Sequence, residues 1–300
     1  MTTPLARGLW VILATPFGPD GAVDHASMTR QVRFAREVGA DGVVALGVFG
    51  EAATLTLGEQ REVVGTVVRA AESTPVVLGV AGRSTPVAVE QGLNALEGAD
   101  ASPDRLNLMV QVNATDPAVV TRHLTEIHER TGAGVVVQDY PATSGVHVSS
   151  AAILQVVADC PFVAAVKAEA PPTPRAIGEL TRGCEVPVFG GLGGVGLVDE
   201  LAMGAAGAMT GFSHPEGLRE TIDAYASAGF PAAREAWAPW LPLATFEAQQ
   251  GLALALRKML MHHRGVLDHP AVRSPAPAMP DGLMPLLAQH LATVPARTRT

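Results

Sequence analysis

A lysine set inside an apolar strand is the first residue of this sequence that could do chemistry. Phe162-Val-Ala-Ala-Val-Lys167-Ala-Glu-Ala170 is a short apolar run begun after Pro161 and stopped by Pro171-Pro172, the pattern of a buried strand. The chain has two lysines, Lys167 and Lys258, and uses arginine for the rest of its permanent positive charge. Guanidinium stays charged, whereas a buried ammonium loses its proton readily, so a lysine kept here suits a task that needs a neutral amine. Neutral lysine is the nucleophile that forms imines with carbonyl compounds. A lysine that snorkels at a strand end, or that pairs with Glu169 on the same face, fits the same pattern. The strand alone leaves both readings open.

Tyr140 ends an earlier apolar run, Gly134 to Tyr140, and is one of two tyrosines, the other being Tyr225. A phenol beside an amine could donate a proton to a carbinolamine and relay protons to the substrate. It could equally be an aromatic packing on a loop. Gly47-Val48-Phe49-Gly50-Glu51 follows another strand and could offer backbone N–H groups to a carboxylate. Gly191-Leu192-Gly193, with Gly196, matches a dinucleotide fingerprint, but it falls in the seventh unit of the chain where that reading needs the first. Histidines 147 and 214 fall near strand-end loops, where ordinary loop residues are the commoner case. His262, His263 and His269 lack ligand spacing, and no metal site is indicated.

Eight strand–helix units must position these residues. The expected strands are Gly8 to Thr15, Gly42 to Val48, Val76 to Val80, Leu106 to Val112, Gly134 to Tyr140, the lysine strand, Pro187 to Gly191 and Gly207 to Phe212. Helices follow each: Asp24 caps one reaching Glu37, Pro117 opens another, and Ser149 or Ser150 caps a third. Apolar strands alternating with helices mean a parallel sheet covered on both faces, and eight such units close most simply into a (β/α)8 TIM barrel. Residues 1–228 form this α/β barrel. Residues 229–300 form a C-terminal helical appendix, with helices expected at Ala232 to Trp240, Leu243 to about His263 and Asp281 to about Ala292, and fraying from Pro295. In such a barrel the strands' C-terminal ends carry the chemistry, which is where Lys167 and Tyr140 fall.

A formal charge of −8 argues against nucleic acid and anionic membrane surfaces. Two cysteines without metal or redox spacing fit a reducing, cytoplasmic setting. Met1-Thr-Thr-Pro4 lacks the regions of a signal peptide, and no apolar run is long enough to span a bilayer.

Ala14-Thr15-Pro16-Phe17, Gly47-x-x-Gly50-Glu51 followed by Thr54-Leu55, Tyr140 and Lys167 together resemble the dihydrodipicolinate synthase / N-acetylneuraminate lyase family of Schiff-base barrels. The resemblance implies that Lys167 forms an imine with pyruvate or a longer 2-oxo acid. It also implies that Tyr140 shuttles protons, that the Val48-Phe49-Gly50 turn holds the substrate carboxylate, that no cofactor is needed and that the protein is a homo-oligomer, a tetramer or dimer. Val48 and Phe49 depart from the family's turn by removing both hydroxyls, and Val110-Gln-Val-Asn113 has no phenol. Tyr140 therefore lacks a hydroxyl neighbour at position 48, and lysine-pathway synthesis is disfavoured. Lys167-Ala-Glu-Ala-Pro-Pro-Thr-Pro174 and Gly190-Gly-Leu-Gly-Gly194 look like a branch that includes dehydratases of 2-keto-3-deoxy sugar acids. The glycines after strand seven should leave room for the distal end of a long substrate. A non-catalytic barrel that senses 2-oxo acids is the alternative.

Overall fold

A computed structural model describes residues 2–100 and 106–295. Residues 296–300, where fraying is expected, lie outside the described residues. Eight parallel strands run β1 Gly8–Ile12, β2 Gly42–Ala45, β3 Val76–Val80, β4 Leu106–Gln111, β5 Gly134–Asp139, β6 Val163–Ala168, β7 Val188–Phe189 and β8 Gly207–Thr210. Their order is β7-β6-β5-β4-β3-β2-β1-β8, and a parallel bridge between Gly190 and Ala208 joins the two ends into a closed barrel. The (β/α)8 expectation holds.

The outer helices are α1 His25–Glu37, α2 Leu57–Ala71, α3 Thr85–Ala99, α4 Pro117–Thr131, the short α5 Pro141–Ser144, α6 Ser150–Asp159, α7 Thr173–Gly183 and α8 Leu197–Ala202. Local sequence sets their ends. Asp24 accepts from the Ser27 N–H, Thr56 and Glu59 form a reciprocal capping box, and Ser149, rather than Ser150, caps α6. Strands are shorter than the apolar runs because pairing stops before the loops of the barrel mouth turn away. Leu46, at φ 57°, ends β2 before Gly47.

Two apolar layers result. Between strands and helices lies the larger core, while Trp10, Val44, Val77, Met109, Val136 and Phe189 are among the residues filling the barrel. Trp10 meets Phe189 edge to face at 6.4 Å. With few aromatics in the chain, this pair and the small Ala164 and Ala165 set the interior packing and leave the cavity to the mouth above.

Beyond β8, α9 Pro215–Trp237 is broken at Gly229 (φ 73°), where the barrel's last helix was expected to give way to the appendix. The single helix expected from Leu243 to His263 is instead two, α10 Leu241–Glu247 and α11 Ala253–His263. Gly251, at φ 81°, turns the chain between them. A short turn and α12 Met284–Leu291 end the described chain. Among the described residues no helix is long and apolar enough to cross a membrane.

Candidate active site

Pairing of Gln138 on β5 with Lys167 on β6 puts both side chains on the inner face, above Ala165. Lys167 is 4% exposed. Its Nζ lies 3.0 Å from Glu169 Oε2, and that oxygen also accepts from Gln138 Nε2 at 2.7 Å. Glu169 Oε1 accepts the Leu192 N–H at 3.3 Å. The ion pair open to the sequence reading is therefore present, but it is buried in the wall of a cavity rather than at a strand end in solvent. That cavity measures about 560 Å³, and Val48, Phe49, Tyr140, Lys167, Leu192 and Arg257 are among its walls.

Tyr140 follows β5 directly. Burial pushes its phenol above the ordinary range and the Glu169 charge adds to this, while the Thr143 hydroxyl and Arg257 act in the opposite direction. Position 48 offers no hydroxyl, as its side chain dictates. Thr143 supplies one instead, because Pro141–Ser144 coils into a helical turn.

The Gly47–Gly50 turn is held by its carbonyls: Thr15 Oγ1 donates to Gly50 O at 2.6 Å and Glu51 N to Val48 O at 3.1 Å. Among the described residues, the N–H groups of Val48, Phe49 and Gly50 meet no acceptor, which leaves them for a carboxylate. Gly47 itself lines an adjoining cavity of about 390 Å³ with Arg83, Gln111 and Thr143, and Gly50 is buried.

Leu192 and Gly193 line the main cavity, whereas Gly191 stands behind it. The space the glycines were expected to leave open is already filled. A Cβ on Gly191 would lie 2.2 Å from Glu169 Oε1, and one on Gly193, at φ 72°, 2.5 Å from Arg257 Nη2. These glycines admit a carboxylate and a guanidinium of the protein itself. The nearby helix α8 is only Leu197–Ala202, following an irregular turn over Leu192–Gly194 in a barrel's seventh unit, which is not the dinucleotide arrangement.

Neither histidine near the strand ends enters the cavity. His214 is buried beside Phe212 and Trp240 and bonded to Ser213 Oγ at 2.7 Å, and burial pulls it down to about 3. His147 is exposed and faces buried Asp139, whose carboxyl is pushed up to about 6 by burial and by Glu169, with His147 opposing. Gln138 and Arg257 line the cavity and Thr143 bonds to Tyr140, and none of the three stood out in the sequence. Only Gln138 left a local trace, as a polar residue interrupting the apolar run two places before Tyr140.

A closed parallel barrel with a lysine, a carboxylate and a phenol at one mouth is the arrangement of a class I aldolase/dehydratase-type lyase. The dihydrodipicolinate synthetase family model matches residues 5–290, and the chain belongs to that family. It is 30% identical over 297 residues to L-2-keto-3-deoxyarabonate dehydratase of Azospirillum brasilense, covering 96% of this chain and 94% of that one. With 4-hydroxy-tetrahydrodipicolinate synthase of Chlorobaculum parvum it shares 34% identity over 56% of each chain. The crystal structure of dihydrodipicolinate synthase from Rhodopseudomonas palustris superimposes with a TM-score of 0.88 at 28% identity, over 97% of this chain and 99% of that one.

Proposed function

We propose that this enzyme forms an imine between Lys167 and the 2-oxo group of a 2-keto-3-deoxy acid and removes water from it. The observation that carries the reading is the Lys167–Glu169 pair, 3.0 Å apart in the cavity wall. An ammonium cannot attack a carbonyl, and Glu169 stands where it can take the ammonium's proton as the amine approaches C2. Tyr140 donates a proton to the carbinolamine oxygen, which leaves as water. The iminium then acidifies C3. Loss of a C3 proton gives the enamine, and its electron pair expels the C4 hydroxyl, which departs as water with a proton from a site acid. Hydrolysis of the imine releases product and restores Lys167. The free N–H groups of Val48, Phe49 and Gly50 hold the C1 carboxylate throughout.

Full-length similarity to a 2-keto-3-deoxyarabonate dehydratase supports dehydration. Aldol cleavage shares the imine and enamine and differs only in breaking C3–C4, and the partial similarity to synthases keeps it as the second reading. The sensing alternative loses its main support once Thr143 supplies a hydroxyl near Tyr140. Incubation with pyruvate or a 2-keto-3-deoxy acid and borohydride should fix one adduct on the peptide containing Lys167. Lys167→Arg should abolish it despite keeping the charge. An adduct on Lys258, or none with any 2-oxo acid, would sink the imine. Release of pyruvate from the 2-keto-3-deoxy acid, rather than a dehydrated product, would favour cleavage.

The same reading takes residues 229–300 as an extension of the catalytic barrel and the enzyme as a cytoplasmic homo-oligomer. Free Cys160 and Cys184 fit a reducing compartment. Light scattering should give a mass above the 31.0 kDa of one chain, and a monomer at micromolar concentration would overturn the assembly.

A further inference from the structure

The imine chemistry leaves one cation in the cavity unused. Arg257, on α11, brings its guanidinium over the Phe49 ring, 5.5 Å from the centroid, and into the space in front of Gly193. Its side chain is 12% exposed, and its nearest carboxylate oxygen, Glu247 Oε2, stands 3.5 Å from Nε. That is an ion pair at the edge of hydrogen-bonding reach, and it leaves buried Nε without a well-formed hydrogen bond among the described residues. A buried guanidinium held by one long ion pair is under-satisfied, and a carboxylate arriving in the cavity would relieve that.

The local carboxylates make their hydrogen bonds to other groups. Glu169 is held by Lys167, Gln138 and the Leu192 N–H. Glu247 accepts from the Ser213 N–H at 3.1 Å and from the Ser213 hydroxyl. Its complete burial also pushes its carboxyl up to about 7, against the pull of Arg257. A guanidinium is always charged, and its planar fork matches a carboxylate with two parallel hydrogen bonds.

With the C1 carboxylate on the Val48–Gly50 turn and C2 at Lys167, the remaining substrate carbons have the rest of the cavity, walled by Leu192 and Arg257, to extend into. We propose that Arg257 recognises a second carboxylate at the far end of the substrate, so that the substrate class is a 2-keto-3-deoxy diacid. The diacid assignment rests on the imine reading above, while the acid site at Arg257 does not.

Two measurements separate the claims. Borohydride trapping at subsaturating concentration compares 2-oxoadipate with 2-oxohexanoate, which matches its chain length and lacks the distal acid. Wild type should trap the diacid about tenfold faster or more, since a charge-assisted pair is at stake. Arg257→Met should bring that ratio to about one, and Arg257→Lys, which keeps the charge and loses the fork, should fall between and serves if the Met variant does not fold. A wild-type ratio near one would overturn the proposal. So would an unchanged ratio with both acids slowed together, which would put Arg257 on the shared C1 carboxylate. Calorimetry with glutarate and pentanoate needs no imine, and glutarate should bind tighter through Arg257. If no 2-oxo acid is trapped by wild type yet glutarate binds in this way, the imine reading fails and the acid site stands. If glutarate binds no better than pentanoate while 2-oxo acids are trapped, the acid site fails.

Discussion

Replacing Glu169 with glutamine should slow imine formation at Lys167 by about 10²–10⁴-fold at neutral pH, the range ordinarily lost with a positioned general base. The substitution keeps the shape of the side chain and an oxygen to accept from Gln138, 2.7 Å away, or from the Leu192 N–H at 3.3 Å. The loop after β7 therefore stays tethered, and only the ability to accept a proton is lost. With Glu169 in place, the Lys167 proton crosses 3.0 Å within the cavity wall. In the variant it must leave to bulk water from a side chain that is 4% exposed. A second readout separates this role from simple packing. The deficit of Glu169→Gln relative to wild type should shrink as pH rises and hydroxide takes over the proton, whereas a packing defect would slow trapping by a similar factor at every pH. A trapping rate within threefold of wild type at pH 7 would remove Glu169 from the proton path.

The residues legible in the sequence are those whose neighbours in the chain share their environment. Lys167 and Tyr140 each end an apolar run, so strand burial and position at the mouth follow from local pattern. Glu169 was visible two residues from Lys167, but the strand does not tell whether that pair faces solvent or a cavity. Closure of the barrel decides it. Arg257 was beyond local pattern altogether. The run from Leu243 to His263 reads as one helix, and the break at Gly251 that sends α11 across the mouth rests on a positive φ in a stretch of good helix formers. The same blind spot turned Gly191 and Gly193 into open room, because the side chains that fill it arrive from β6 and α11. Thr143 was hidden by a short helix, where one turn decides whether a hydroxyl faces Tyr140.

The other lysine should prove structural, and its removal costly. Lys258 lies next to Arg257 on α11, and the helical twist of about 100° per residue sends it away from the cavity. It is fully buried, paired with Glu51 and donating to Ala271 O at 2.9 Å, with the Phe17 ring 4.4 Å from Nζ. Burial pulls the ammonium down from its ordinary value and Glu51 works to hold it charged. Glu51 also accepts the Arg273 N–H at 2.8 Å, and at φ 53° it closes the turn that presents the Val48, Phe49 and Gly50 N–H groups. Removing one member of such a pair strands the other as a buried charge, for which about 3–5 kcal/mol is usual. Lys258→Met fills most of the volume yet leaves Glu51 without its counter-ion, so chemical denaturation should show a loss of that size. Glu51→Gln in the same chain should return much of it, since the stranded charge then disappears. Borohydride adducts in Lys258→Met should still map to Lys167 wherever the protein remains folded, at reduced rate because the turn is less well held. A stability loss below about 1 kcal/mol would mean that Glu51 finds water or Arg273 sufficient, and that the pair does not anchor α11 to the turn.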